Sequence, residues 1–285
     1  MDRKLRGTWG QMKQLLALAA AWLLCACASG ESERFPTSSA YPVGTMKRIE
    51  LKAGVTQGWN LSALTTLHPN APWKLVIITG TPSLSEYWAP TLAAAPPSLE
   101  IIVADRPGFQ TSGPAAAVTD IATQARALSV LLEPTTPGQK VIVAGQSYGG
   151  PISTLMAANY PDKVAGLILV SAFFGERGPT IKKLSFAGGL TRGIIGRDLR
   201  NGLDELRGQD PQLPAVFAAL DGLKLPIVVL HGQKDTFVAM DAAERLATRA
   251  KAPLVKVPNG DHFLNACCVS DIMAAVTAIQ GRIAP

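Results

Sequence analysis

Short apolar runs recur along the chain, separated by segments whose apolar positions fall at helical spacing. Met46 to Leu51 and Trp59 to Leu67 read as two strands with a Gly-containing turn between them. Lys74 to Thr79, Leu99 to Ala104, Val141 to Ala144, Val164 to Val170, Leu225 to His231 and Leu254 to Val257 read as buried strands. Between them, Thr119 to Glu133 places Ile121, Ala125, Leu128 and Leu132 on one helical face. Ile152 to Tyr160, Asp241 to Lys251 and Asp271 to Gln280 also read as helices. Strands alternating with helices predict βαβ units, hence a mostly parallel α/β sheet covered on both faces.

The alternation breaks between Ser171 and Lys224, a Gly- and charge-rich stretch. Leu199, Leu203 and Leu206 predict one short amphipathic helix there, and Pro211 to Leu220 a second. About 50 residues is too long for an ordinary connection. The stretch, about 172–224, is therefore expected to be a cap or a partner-binding insertion, and the cap is preferred because it leaves from the edge that carries the strand-end loops. The leucine stripe, with Arg197, Asp198, Arg200, Asp204, Glu205 and Arg207 around it, is read as the surface that docks this helix.

The N-terminus has its own pattern. Basic residues precede an apolar run from Leu15 to Ala26, too short to span a membrane, so residues 1–28 read as an export signal. Leu24-Cys25-Ala26-Cys27 resembles a bacterial lipobox with Cys27 as the lipidated residue; Ala26-Cys27-Ala28 also fits ordinary signal cleavage. The expected location is a membrane-anchored envelope lipoprotein, alternatively a periplasmic or secreted protein. Residues 29–45, rich in Ser, Glu, Pro, Thr and Gly, read as a tether, and 46–285 as one domain.

Composition narrows the classes. With 47% hydrophobic and 17% charged residues, the chain is neither disordered nor collagenous, and four cysteines do not make a disulfide scaffold. The net charge of +6 falls to +3 once residues 1–26, with four basic residues and Asp2, are set aside. That is too mild to point to nucleic acid, and no zinc-ligand spacing occurs. Nothing in the sequence sets the oligomeric state. Cys267 and Cys268 are read as two small unpaired residues beside the last helix, because adjacent cysteines seldom bond; export would leave pairing open.

The chemistry gathers around Val141-Ile142-Val143-Ala144-Gly145-Gln146-Ser147-Tyr148-Gly149. A buried strand running into Gly-x-Ser-x-Gly and then a helix predicts a strained turn with Ser147 at its apex. A serine nucleophile needs a base, and the base an orienting carboxylate. Of three histidines, His68 precedes Pro69 in an expected surface turn, and His231 ends a buried strand in an expected structural role. His262 lies in a loop after the last strand, where a base belongs in an open α/β sheet. Asp235 follows a buried strand by four residues; Glu176, after the sixth strand, is its rival.

The order Ser147, Asp235, His262 resembles the α/β-hydrolase superfamily, in the branch with a cap after the sixth strand. Thr79-Gly80-Thr81-Pro82 and Asp105-Arg106-Pro107-Gly108-Phe109 extend the resemblance over about residues 46–283. It implies an α/β-hydrolase fold, a catalytic triad of those residues, and an oxyanion hole from the amides of Thr81 and Tyr148. Thr79 stands where the family usually has His, which puts the bonding that holds this turn in doubt. Asp105 and Arg106 are expected to brace their turn. The resemblance implies no metal or organic cofactor. It implies a serine hydrolase of small esters, or an amidase, thioesterase, carbon–carbon hydrolase or haloperoxidase on the same residues. A different class is a catalytically idle ligand-binding lipoprotein. Phe173, Phe174, Phe186 and Phe217 are expected to line a modest pocket near Ser147, favouring small soluble esters.

Overall fold

The computed structural model describes residues 35–283 of the 285-residue chain, so the export segment and Cys27 lie outside the described residues. In chain order the elements are β1 (Met46–Lys52), β2 (Asn60–Thr66), β3 (Trp73–Ile78), α1 (Ala89–Ala93), β4 (Leu99–Ala104), α2 (Ile121–Leu128), β5 (Lys140–Gln146), α3 (Gly149–Asn159) and β6 (Val164–Val170). Then come α4 (Pro179–Thr191), α5 (Arg197–Gly208), α6 (Leu213–Gly222), β7 (Ile227–Gly232), α7 (Met240–Arg249), β8 (Leu254–Val257), α8 (Leu264–Cys267) and α9 (Val269–Ile283).

The strands form one sheet in the order β1-β2-β4-β3-β5-β6-β7-β8. The β1–β2 and β2–β4 pairs are antiparallel; every other pair is parallel. Alternate side chains of each strand enter opposite layers. Val76 and Ile78 of β3 pack in the layer of α2, α3 and α6, while Leu75 and Ile77 join α1, α8 and α9. Edge strand β1 carries Lys47, Arg48, Glu50 and Lys52, which suits a sheet edge left open to solvent. Among the described residues no helix is long and apolar enough to cross a membrane.

Three features differ from the sequence expectation. The excursion between β6 and β7 holds three helices, not two. The added one, α4, escapes notice because Ile181, Leu184 and Phe186 make no single stripe and Gly188-Gly189 sits near its end. The proposed tether is docked from Phe35 onward. Phe35 is 5% exposed and stacks on Tyr87 at 4.4 Å, and the Ser38 amide donates to Glu86 Oε2 at 2.7 Å. Cys267 and Cys268, expected unpaired, are joined by a disulfide. The chain leaves helical geometry at Cys268, between α8 and α9, and that turn brings the two sulfurs together.

Candidate active site

β5 runs directly into Ser147, and α3 begins two residues later. Ser147 has φ +50°, a left-handed conformation unusual for a residue with a Cβ. Small neighbours make the turn possible. A Cβ on Gly145 would lie 2.1 Å from Ser153 Oγ, and one on Gly149 2.1 Å from the Ile78 carbonyl oxygen. The turn is pinned from both sides: the Ser147 amide donates to Val170 O (3.0 Å), and its carbonyl accepts from Gly150 (2.9 Å) and Phe173 (2.9 Å). The Tyr148 ring is buried, and burial pushes its phenol well above the ordinary tyrosine range.

The loops after β7 and β8 meet beside this turn. His262 Nδ1 lies 2.8 Å from Asp235 Oδ2. Asp235 Oδ1 accepts from the amides of Phe237 (2.8 Å) and Val238 (2.9 Å), so both carboxylate oxygens are held. Burial alone would raise the Asp235 pKa, but the His262 bond, its charge and the Val238 amide outweigh it and hold the carboxyl below the usual range. The His262 ring stacks on Phe237 at 4.6 Å and meets the edge of Phe263 at 5.3 Å. Ser147 (7% exposed) and His262 (4%) line one cavity, with no hydrogen bond between them. Unliganded sites are often this loose.

The other candidates fall elsewhere. Glu176 pairs with Arg245 on the surface and does not line this cavity. His68 bonds the Leu99 carbonyl, at the sheet edge opposite Ser147. His231 is wholly buried, with Nε2 3.1 Å from Val238 O and 3.7 Å from Asp235 Oδ2; burial holds its pKa below the ordinary histidine value.

The loop Thr79-Gly80-Thr81-Pro82 borders the same cavity. The bonding left in doubt by the absent histidine is supplied differently. Thr79 Oγ1 bonds Ser83 Oγ, which accepts from the Arg106 amide (3.0 Å). Gln146 Oε1 accepts from the Gly80 amide (2.9 Å), and Gln146 Nε2 reaches the His262 carbonyl at 3.5 Å. The amides of Thr81 and Tyr148 enter none of the turn, loop or cap bonds among the described residues. Asp105 ties its turn to neighbouring segments, Oδ1 accepting from the Ser85 amide (2.7 Å) and Oδ2 from Arg48 (3.2 Å), whereas the Arg106 side chain reaches the Thr79 and Gly80 carbonyls and does not brace its own turn as expected.

The cavity measures about 500 Å³. Its aromatic wall is Tyr87, Trp88, Phe237 and Phe263, not the four phenylalanines expected from the sequence. Phe174 and Phe217 border a separate cleft, Phe173 is core, and Phe186 is 74% exposed. Ile181, Leu184, Leu199 and Leu206 of the excursion form the facing wall. The leucine stripe of α5 is thus divided. Leu199 and Leu206 face the cavity, and the helix docks through Asn201, Gly202, Leu203 and Glu205. The bonds of Gln146 to the Gly80 amide and the His262 carbonyl, and the burial of Glu205 where α5 docks, are placements that the sequence did not reveal. The one available signal was a glutamate beside Leu203 and Leu206 on a face that had to dock.

Comparison with known proteins bears on the fold. A family model described as alpha/beta hydrolase fold matches residues 75–190. The chain has an α/β-hydrolase fold. A thermophilic esterase from Thermogutta terrifontis, solved with malate bound, superposes with a TM-score of 0.67 at 18% identity, covering 83% of this chain and 99% of that one. A haloalkane dehalogenase from Bradyrhizobium elkani gives 0.65 at 16% identity, covering 83% and 99%. The chloroplastic protein PHYLLO of Arabidopsis thaliana is 28% identical over 160 residues, 53% of this chain. The chain spans only 9% of that curated relative's length. At these identities the solved structures establish the α/β-hydrolase fold, and their different named chemistries leave the reaction to be argued from the site.

Proposed function

We propose that the protein is a serine hydrolase that cleaves carboxylic esters through an acyl-enzyme intermediate. The observation that carries this reading is the His262–Asp235 bond of 2.8 Å beside a left-handed Ser147 in one cavity. With Nδ1–H donated to Asp235, the lone pair of His262 Nε2 is free to accept the Ser147 proton. Ser147 Oγ attacks the ester carbonyl carbon, and its proton passes to Nε2. The carbonyl oxygen becomes an oxyanion held by the Thr81 and Tyr148 amides. As the carbon–oxygen bond to the alcohol breaks, Nε2 returns the proton to the departing oxygen. Water repeats the sequence, losing its proton to Nε2, and releases the acid and Ser147. Asp235 fixes the tautomer and stabilises the transient imidazolium.

Ser147→Ala tests the reading. Turnover of p-nitrophenyl butyrate should fall by about 10³-fold or more with the fold intact. A fluorophosphonate probe should label the wild type and not the variant. Variant activity within tenfold of wild type would remove Ser147 as the nucleophile, and no labelling of wild type would favour the idle ligand-binding class instead.

The substrate reading is a small acyl ester, because the cavity closes between an aromatic wall and the helices of the excursion, which act as the cap. Each methylene that fits should add about 0.8 kcal/mol, stopping when the cavity is full. A series from two to sixteen carbons, with a matched amide and thioester, measures this. A kcat/KM that keeps rising to sixteen carbons would contradict the small-ester reading.

Export and lipidation at Cys27 belong to the same proposal, supported by the residue pattern of positions 1–28. Cys27→Ser should release the protein from membranes, since acyl chains anchor by about 0.8 kcal/mol per buried CH₂. Mass spectrometry finding an unlipidated N-terminus at Ser29 would favour a periplasmic or secreted enzyme.

A further inference from the structure

Arg106 is 0% exposed, yet all five of its guanidinium N–H groups have partners. Nε donates to Thr79 O (2.9 Å) and Nη2 to Gly80 O (2.9 Å). Nη1 and Nη2 fork onto Glu205 at 2.6 and 2.9 Å, and Nη1 also reaches Gln124 Oε1 at 2.5 Å. Glu205, also 0% exposed, accepts in addition from Gln124 Nε2 (2.6 Å). Glu205 belongs to α5, in the excursion, 99 residues beyond Arg106.

The consequence follows from peptide planarity. The Gly80 carbonyl and the Thr81 amide are opposite ends of one trans peptide, since the cis bonds lie elsewhere. Holding the carbonyl on the Arg106 side therefore turns the Thr81 N–H to the opposite side. The preceding peptide is fixed at both ends, its carbonyl by Arg106 Nε and its amide by Gln146 Oε1. The α5 helix also presses on Thr81 itself: a Cβ on Gly202 would lie 2.9 Å from Thr81 Oγ1.

Resting on the ester-hydrolase reading above, we propose that α5 is a working part of the oxyanion site, with Arg106 and Glu205 as positioning residues that aim the Thr81 amide. Arg106 holds the loop; Glu205 neutralises and orients Arg106; Gly202 lets α5 sit flush on Thr81. The excursion is then a fixed roof through α5, not a lid that swings away whole. An α5 that lifted off would strand a buried guanidinium and release the donor it aims.

The test uses the full chain, with active sites counted by the endpoint of fluorophosphonate titration so that unfolded material drops out. Glu205→Gln keeps the shape but loses the charge and one half of the fork. It should lower kcat per active site by about tenfold to a hundredfold, below the loss from deleting an oxyanion donor outright. KM for a short ester should stay within about threefold, and affinity for a trifluoromethyl ketone, which forms the oxyanion, should fall in step with kcat/KM. Gly202→Ala leaves the ion pair intact and raises helix propensity, so it folds. It should show the same split on a smaller scale, about threefold to tenfold, from crowding Thr81. A purely structural role would lower the titratable fraction and the melting temperature without moving analogue affinity. Analogue affinity and kcat within twofold of wild type in the titrated variants would overturn the proposal, with Gly202→Ala deciding alone if Glu205→Gln yields no folded chain. A wild type that does not react with fluorophosphonate would overturn the hydrolase reading instead.

Discussion

The two sides of Ser147 are held in different ways. On the side of the proposed base, the bonds of the Asp235 carboxylate stay within the two neighbouring loops that follow β7 and β8. Asp235 reaches His262 across 27 residues, and its other oxygen is filled by backbone two and three positions away. On the side of the proposed oxyanion hole, the loop at Thr79 to Pro82 is held by side chains from three other elements. Gln146 lies 66 positions from Gly80, Arg106 27 from Thr79, and Glu205 99 from Arg106. The base side is built by two strand-end loops converging; the oxyanion side is built by long-range packing of β4, β5 and the excursion. The first depends on a few residues of fixed type. The second spreads its function over a network, where each member matters less and the sum matters as much.

The sharpest break in that comparison is Asp235→Asn. It retains the shape but offers His262 the wrong tautomer, and turnover should fall by about 10⁴-fold. Glu176→Gln, the rival acid, should change kcat by less than twofold, because Glu176 pairs with Arg245 outside the cavity. Steady-state kinetics on one short ester checks both. A large loss from Glu176→Gln with little from Asp235→Asn would move the acid to the loop after β6.

The oxyanion side should give way more gradually. Gln146→Met fills the same space but leaves the Gly80 amide without its acceptor. One buried unpaired donor costs about 1–3 kcal/mol, and part of that can be relieved by a shift of the loop. The expected result is about a tenfold loss in kcat with KM nearly constant. Gln146→Glu, which keeps an acceptor for Gly80, should recover part of the rate. Equal losses in both would show that Gln146 acts through its Nε2 bond to the His262 carbonyl, which both variants lose, and not through its bond to the loop.

This contrast also explains what could be read from the sequence. Ser147, Asp235 and His262 were visible because each sits in a local signature whose chemistry depends on neighbours in the chain: Gly145 and Gly149 around Ser147, a buried strand before Asp235, a loop after the last strand for His262. The sheet was visible because its central strands, buried on both faces, are unbroken apolar runs. Gln146 was in plain view inside the motif, but nothing local says that its amide points at Gly80. Glu205 was counted only among the charges around the leucine stripe of α5, because helical periodicity ranks hydrophobic faces and does not register a docking surface made of Asn201, Gly202 and a paired glutamate. The same blindness assigned the cavity wall to Phe173, Phe174, Phe186 and Phe217. Which aromatic residue reaches Ser147 is decided by helix placement, and α4 was not foreseen.

The smallest expected effect concerns His231, which touches the base side without taking part in it. It is buried against Asp235, its Nδ1 has no partner among the described residues, and its pKa is depressed by burial. The folded protein therefore keeps His231 neutral, while the unfolded chain binds a proton below about pH 6.5. The unfolded state holds more protons in that window, so stability is full above it and declines as pH falls. Asp235, also depressed, adds a second decline at lower pH, present above about pH 4 and lost as its carboxylate takes up a proton in the fold. Urea midpoints between pH 8 and pH 5 isolate the first. The wild type should lose stability with a slope of at most about 1.4 kcal/mol per pH unit from this one proton. His231→Gln, which can still donate to the Val238 carbonyl, should flatten that slope while leaving kcat at pH 8 within about threefold. An unchanged slope would mean that the buried histidine takes up its proton as readily in the fold as outside it, and that the Asp235 carboxylate 3.7 Å away offsets the burial.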